Sequence, residues 1–579
     1  MKQTLKNLFC LAILASSTAA LADSSCGDSG SCGASASGPS TECCFPAGYM
    51  INDKGNVYGQ TNFTAHPVQW DMFRRMAGAS TEKLHLFGEE EFYGVASLAL
   101  QYQQTTDNGR IAQWFSFNNS GANNGAMTYG PAASLDDALT EIDDINSLNF
   151  GVTNSGTVTF CPKIQNFVAD IDLFFGWDEF VCGLWSRFSI PINWTRWTLG
   201  LNDSNAGTGA TTFPNGLYNA FDAATAVDVP YTSLKDAWKG TQPFGAAPVL
   251  KKGRIDGSQS ETAVAGLKME LGYDFLRRDK SHLALSFLVV APTGNKPNAT
   301  YLFDAISGSS KSWEIGADFN GHWNFWERQE CNQSLGLHFD VALVSQLKSS
   351  QTRLFGMKNG GDQAVGENQT TPAACNVAAG SSWLLLKQVS DGAAGNNAPT
   401  VTGLERAANV LALQAKIGAG FETNGAILLK YIRNHFSVDL GYELYYRSQE
   451  KLSSRATIDP FTYGVYGASL DNTGSLAASY LTGASSSTST IGKPAFYDYL
   501  NDVQTFVYLQ DSDVCACTAL QPATLSNKVF GFCEYSWDNC DWDPTVGLGA
   551  SYEIGASKSG AKNVALNQWS VLAKGSISF

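Results

Sequence analysis

Phe436-Ser437-Val438-Asp439-Leu440-Gly441-Tyr442-Glu443-Leu444-Tyr445-Tyr446 is the most informative stretch of this chain. Phe436, Val438, Leu440, Tyr442, Leu444 and Tyr446 share one face, and Ser437, Asp439, Gly441, Glu443 and Tyr445 share the other. Side chains alternate across a strand, so this pattern makes one face apolar and the other polar over about ten residues. A tilted strand needs about that length to cross a bilayer, whereas strands of soluble sheets run nearer six residues.

Working outward, the same period recurs. Phe92, Leu98, Leu100 and Tyr102 oppose Ser97, Gln101 and Gln103. Leu267, Met269, Leu271, Tyr273 and Phe275 oppose Lys268, Glu270, Gly272 and Asp274. Leu283 to Val289, Leu335 to Leu343, Leu413 to Phe421 and Val546 to Ile554 repeat it, with Asn424-Gly425 as a candidate hairpin turn. Trp313–Trp326 reads as one long strand or a hairpin, and Leu217–Trp238 as a short helix folded into the pore. The last strand places Trp569, Val571, Ala573, Gly575, Ile577 and Phe579 on one face. Segments rich in Gly, Asn, Ser and Thr separate the runs at roughly 106–147, 202–260, 346–408, 449–500 and 511–543. Such lengths suit the extracellular loops of a barrel better than a compact soluble domain. The expected fold is therefore all-β: a transmembrane antiparallel barrel of about 14–18 strands with long extracellular loops. A soluble sandwich is the plainer alternative.

Composition agrees. Only 16% of the 579 residues are charged, 12% are aromatic, and 56 are glycine. No stretch beyond the N-terminus is apolar enough for a membrane-spanning helix. The net charge of −15 opposes binding to nucleic acid. Lys2 and Lys6, the apolar run Leu8–Ala15 and Ala20-Leu21-Ala22 read as a signal peptide over residues 1–22. A Cys/Gly/Ser-rich arm follows over 23–55, and the barrel with its loops occupies 56–579.

Export into an oxidising compartment makes Cys26, Cys32, Cys43, Cys44, Cys161, Cys182, Cys331, Cys375, Cys515, Cys517, Cys533 and Cys540 disulfide candidates. Cys533 and Cys540 suit a short loop. No metal site is expected: Cys-x-x-Cys pairs are absent, and His66, His85, His282, His322, His338 and His435 lack ligand spacing. No hydrolase elbow or phosphate-binding loop is present, so neither an enzyme nor a cofactor is expected. The polar faces carry the candidate pore-lining residues Lys268, Glu270, Asp274, His338, Asp340, Lys416, Asp439, Glu443 and Glu553. Acids outnumber bases among them, which favours cations.

With its leader, its cysteine-rich mature chain, Asp170–Phe180, Arg187–Trp197, Leu288–Gly294 and the terminal Phe579, the chain resembles the chlamydial major outer membrane protein and related MOMP-like, cysteine-containing porins. It is longer than typical members. The resemblance implies an outer-membrane porin of a Gram-negative-type bacterium, passing small hydrophilic solutes and ions by diffusion, and stiffening the envelope through disulfide cross-links. Its expected partners are outer-membrane lipids, the barrel-assembly machinery that reads Phe579, disulfide-linked envelope proteins, and further copies in a homo-oligomer such as a trimer. A surface β-rich adhesin or structural glycoprotein without a pore is the alternative.

Overall fold

The computed structural model describes residues 60–63, 66–78, 83–86, 92–106, 127–131, 144–205, 209–213, 218, 227–357, 381–389, 401–466, 497–498, 505–506, 508–537, 542–555 and 565–579. The expected leader and arm, with Cys26, Cys32, Cys43 and Cys44, lie outside them, as do Cys375, Cys540 and the Cys517 side chain.

Twelve antiparallel strands close into one barrel. They are β1 (Tyr93–Thr105), β2 (Lys163–Gly176), β3 (Leu184–Thr198), β4 (Leu267–Arg278), β5 (Ser281–Ala291) and β6 (Glu314–Arg328). β7 (Gln333–Gln346), β8 (Glu422–Arg433), β9 (Phe436–Arg447), β10 (Thr524–Ser536), β11 (Asp543–Gly555) and β12 (Gln568–Ser578) follow. Each pairs with the next, and β12 pairs with β1 from Val95↔Ser578 to Thr105↔Gln568. Closure leaves no unpaired sheet edge, which a lipid-exposed sheet requires. Phe579 completes the seam: its N–H donates to Gly94 O, and Gly94 N–H returns the bond.

Strand number is thus twelve rather than 14–18. Ala412–Ala419 alternates like a wall strand but belongs to a small sheet beyond the barrel. Asn424-Gly425, read as a turn, sits inside β8, and β10 runs through a stretch read as loop. Of Trp313–Trp326, all but Trp313, which immediately precedes it, belong to one long strand, β6.

One barrel end carries short connections, at 177–183, 279–280, 329–332, 434–435 and 537–542. Asn332 and Asn434 turn two of them with φ of 45° and 52°, a left-handed backbone that asparagine tolerates better than most residues. The other end carries the long connections, the side that faces outside the cell in barrels of this kind. They fold into a cap with its own apolar core, including Phe150, Trp238, Trp383, Leu386 and Leu411. Helices α2 (Leu234–Lys239) and α3 (Ala407–Leu411) lie there. Of the segment 217–238 expected as a helix inside the pore, the described end from Leu234 is helical and part of the cap, where Trp238 stacks edge-on to Phe150 and Trp383, while 217 and 219–226 lie outside the described residues.

The barrel exterior is a belt of large apolar side chains, among them Leu271, Phe287, Leu440, Leu548 and Ile554, all exposed. An apolar belt around a closed, polar-lined barrel is the outer-membrane arrangement, and it places this chain in the outer membrane of a Gram-negative-type bacterium.

Candidate functional site

Eight-stranded barrels fill their interiors with side chains, whereas 16 or more strands leave a water channel. Twelve strands lie between these cases, with space for the wall side chains plus one further segment of chain. Here that segment is the protein's own. Thr61 N–H donates to Thr518 O in the cap, and Phe63 packs against Trp197 and Phe303. His66 lies 3.0 Å from Glu553 and stacks on Tyr445. A 3₁₀ turn at Val68–Trp70 and helix α1 (Met72–Met76) follow. His85 then reaches Asp274, and Lys83 pairs with Asp543 beside the short-turn end. The described parts of 60–86 thus descend the lumen from the cap to the opposite mouth, forming a plug.

Local sequence explains α1. Asp71 caps it, its carboxylate accepting Phe73 N–H at 3.0 Å. Met72, Phe73 and Met76 supply an apolar side that meets Leu288, Val344, Leu428, Phe530, Phe532 and Leu572 on the wall. The ring of Phe73 lies 5.0 Å from that of Phe530. Gly549 makes room for this contact, since a Cβ there would meet Phe73 at 2.9 Å. Inner-wall glycines therefore serve aromatic packing here, not open water.

The polar side of α1 is more elaborate. Arg75 donates through Nη1 and Nη2 to both oxygens of Glu270, at 2.5 and 2.9 Å. Its Nε donates to Asp340 at 2.5 Å, and Nη2 also reaches Asp318 at 3.4 Å. Arg74 donates to Asp170 and Gln101. Asp71 accepts Gln101 and Gln103 amides at 2.8 Å each, and pairs with Lys528 at 3.2 Å. Lys528 also reaches Glu443 and Glu553. Lys574 donates to the carbonyls of Arg74 and Ala77, and Lys430 to that of Gly78, whose N–H donates to Asp439. All these groups are buried. Buried charges are costly unless paired, and this set is paired across seven or more strands.

Eight of the nine candidate lining residues, Lys268, Glu270, Asp274, His338, Asp340, Asp439, Glu443 and Glu553, are on barrel strands and buried within the lumen. Lys416 is not among them: it is exposed on the cap strand Ala412–Ala419, because the alternation there belongs to a cap sheet. Period-two alternation does not reveal the plug, although Asp71, Arg74 and Arg75 amid Trp70, Met72, Phe73 and Met76 are unlike a wall strand. The excess of acids on the inner faces was the matching signal, for it requires cations from elsewhere.

Near the short-turn mouth, His85 stacks on His282, which contacts His322 and Asn320, and His322 stacks on His338. Among the described residues, no group of three or more His, Cys, Asp or Glu is arranged to hold a metal ion. Cys182, Cys331 and Cys533 form no disulfide with one another. Cys182 and Cys331 sit in short turns as thiols, and Cys533 is exposed on the outer face of β10, its expected loop partner Cys540 lying outside the described residues. Cys161 lies just before β2, and Cys515 is buried in the cap.

Neither a family model nor a curated protein matches the chain. Among solved structures, an outer membrane channel from Pseudomonas putida F1 is similar at 9% identity with a TM-score of 0.33, covering 85% of this chain and 99% of that one. The translocator domain of the autotransporter NalP from Neisseria meningitidis aligns at 7% identity, TM-score 0.26, over 88% and 95%. A Pseudomonas aeruginosa FadL homologue aligns at 8%, TM-score 0.24, over 84% and 90%.

Proposed function

We propose that this protein is an outer-membrane channel closed by its own N-terminal segment, opening to small hydrophilic solutes when that segment shifts. The observation that carries this reading is the plug itself. Residues 66–78 and 83–86 lie within a closed, polar-walled barrel and hold it by hydrogen bonds and ion pairs, not by joining the sheet. A wall made only to fold would be filled more cheaply by apolar side chains. A wall carrying Asp170, Glu270, Asp340, Asp439, Glu443 and Lys528 can be rewetted once the plug leaves, and then offers a polar path. Water-filled diffusion is thus the open state of this channel, and the described conformation is its closed state.

Solute uptake by proteoliposomes tests the reading. Wild-type vesicles should take up arabinose slowly, and an Arg74→Ala/Arg75→Ala variant about tenfold or more faster, since removing both guanidinium groups takes from Asp170, Glu270, Asp318 and Asp340 the cations that tie the plug to the wall. Equal uptake by the two proteins, in vesicles with equal amounts of folded barrel, would remove the plugged channel from consideration.

A further inference from the structure

The Arg75 guanidinium occupies a receptor whose ligand happens to be tethered. Glu270 on β4 presents both oxygens to it, Asp340 on β7 takes Nε, and Asp318 on β6 closes the third side. All three carboxylates are buried, at 3%, 4% and 0% exposure. Two of them have spare oxygens: Asp318 Oδ2 and Asp340 Oδ1 are buried with no donor beyond a hydrogen bond the two carboxyls share. Asp318 Oδ1 also accepts from Asn320, and Lys268 stands 3.1 Å from Glu270, a wall cation that remains when the plug moves. From β3, Arg187 donates to the Arg75 carbonyl rather than to these acids. Three carboxylates against Lys268, with Arg187, the cross-strand neighbour of Glu270, committed to Asp172, leave the emptied receptor negative. Their arrangement matches a planar fork of N–H donors, which an ammonium group cannot satisfy in the same way.

We propose that Glu270, Asp318 and Asp340 form a binding site for guanidinium-bearing solutes in the open channel, and that Arg75 occupies it in the closed one. This rests on the plugged-channel reading, which it deepens by naming a solute class: a solute carrying a guanidinium group competes with Arg75 and takes its place on the path. The receptor lies on the barrel wall, so it persists after the plug is gone.

Full-length Arg75→Ala protein, titrated with methylguanidine and separately with methylammonium at constant ionic strength, tests this directly. Thermal unfolding in detergent and single-channel current in planar bilayers are the two readouts. Methylguanidine should raise the unfolding temperature and block current at about tenfold lower concentration than methylammonium, and adding Glu270→Gln should abolish that difference. Equal responses to the two cations overturn the site. Selective stabilisation by methylguanidine in a protein that conducts no better than wild type keeps the site and removes the channel. Raised conduction without any preference between the cations does the reverse. Should Arg75→Ala fail to assemble, the wild type serves: methylguanidine should raise its opening frequency severalfold over methylammonium, and equal frequencies overturn the site.

Discussion

Two interiors lie end to end in this chain, and they are built on opposite rules. The cap buries Trp238, Trp383, Phe355, Leu386 and Leu411 in a contiguous apolar core. Its rare buried cation, Arg406, donates to the carbonyls of Pro248 and Asn149, stands over Phe244, and is driven down to about 10 by burial. The lumen buries a lattice of carboxylates, guanidinium groups and ammonium groups around α1. An apolar core loses its stabilisation when water enters. A paired polar interior gives up its mutual contacts but regains hydration for each charge, so the net cost of opening is far smaller than the gross strength of its bonds. The cap is built to stay closed, and the lumen to be opened.

The sharpest way to break this contrast is to damage each interior and ask what fails. Trp238→Ala in the cap should destabilise it by about 3–5 kcal/mol, as truncating a buried Trp does, while conductance stays at the wild-type level. Arg75→Ala should cost the closed state a similar amount, about 3–5 kcal/mol, because three buried carboxylates lose their partner, and here conductance should rise. Denaturant unfolding beside bilayer recording checks both. A conducting Trp238→Ala or a silent, folded Arg75→Ala would dissolve the distinction.

The outer face offers a third comparison of intermediate size. Leu440→Arg places a cation in the lipid belt and should cost about 2–4 kcal/mol if that position lies near the bilayer midplane, read from equilibrium folding into vesicles. A negligible cost would move the belt elsewhere. The smallest effect belongs to the cap of α1 alone. Replacing Asp71 by Asn keeps a side-chain acceptor for Phe73 N–H but removes the charge facing Lys528 and Arg74. Folding stability should change little, while opening frequency should rise about two- to tenfold, a shift of order 1 kcal/mol in the closed state.

These interiors also differ in how they wrote themselves into the sequence. Wall strands such as β4 and β9 are legible because lipid outside and polar lumen inside enforce strict alternation. β10 was not, because Phe530 and Phe532 turn inward to meet Phe73, while Val529 faces lipid, so both faces look apolar. β8 was obscured by Ala412–Ala419, which alternates just before it and drew the boundary to Asn424-Gly425. The alternation of Ala412–Ala419 likewise made Lys416 resemble a lining residue. The plug leaves almost no periodic trace: α1 is five residues long, too short for a 3.6-residue repeat. Its partners Asp170, Glu270 and Asp340 lie 96, 195 and 265 positions away, so only the folded barrel brings them together.

The most direct measurement is the single-channel conductance of the purified wild-type protein, recorded beside Arg74→Ala/Arg75→Ala in the same planar bilayers. A wild type that is mostly closed, with brief openings that become long-lived in the double variant, is the result expected of a lumen held shut by the 3₁₀ turn and α1. A wild type already open at steady full conductance, unaltered by the double substitution, would contradict it.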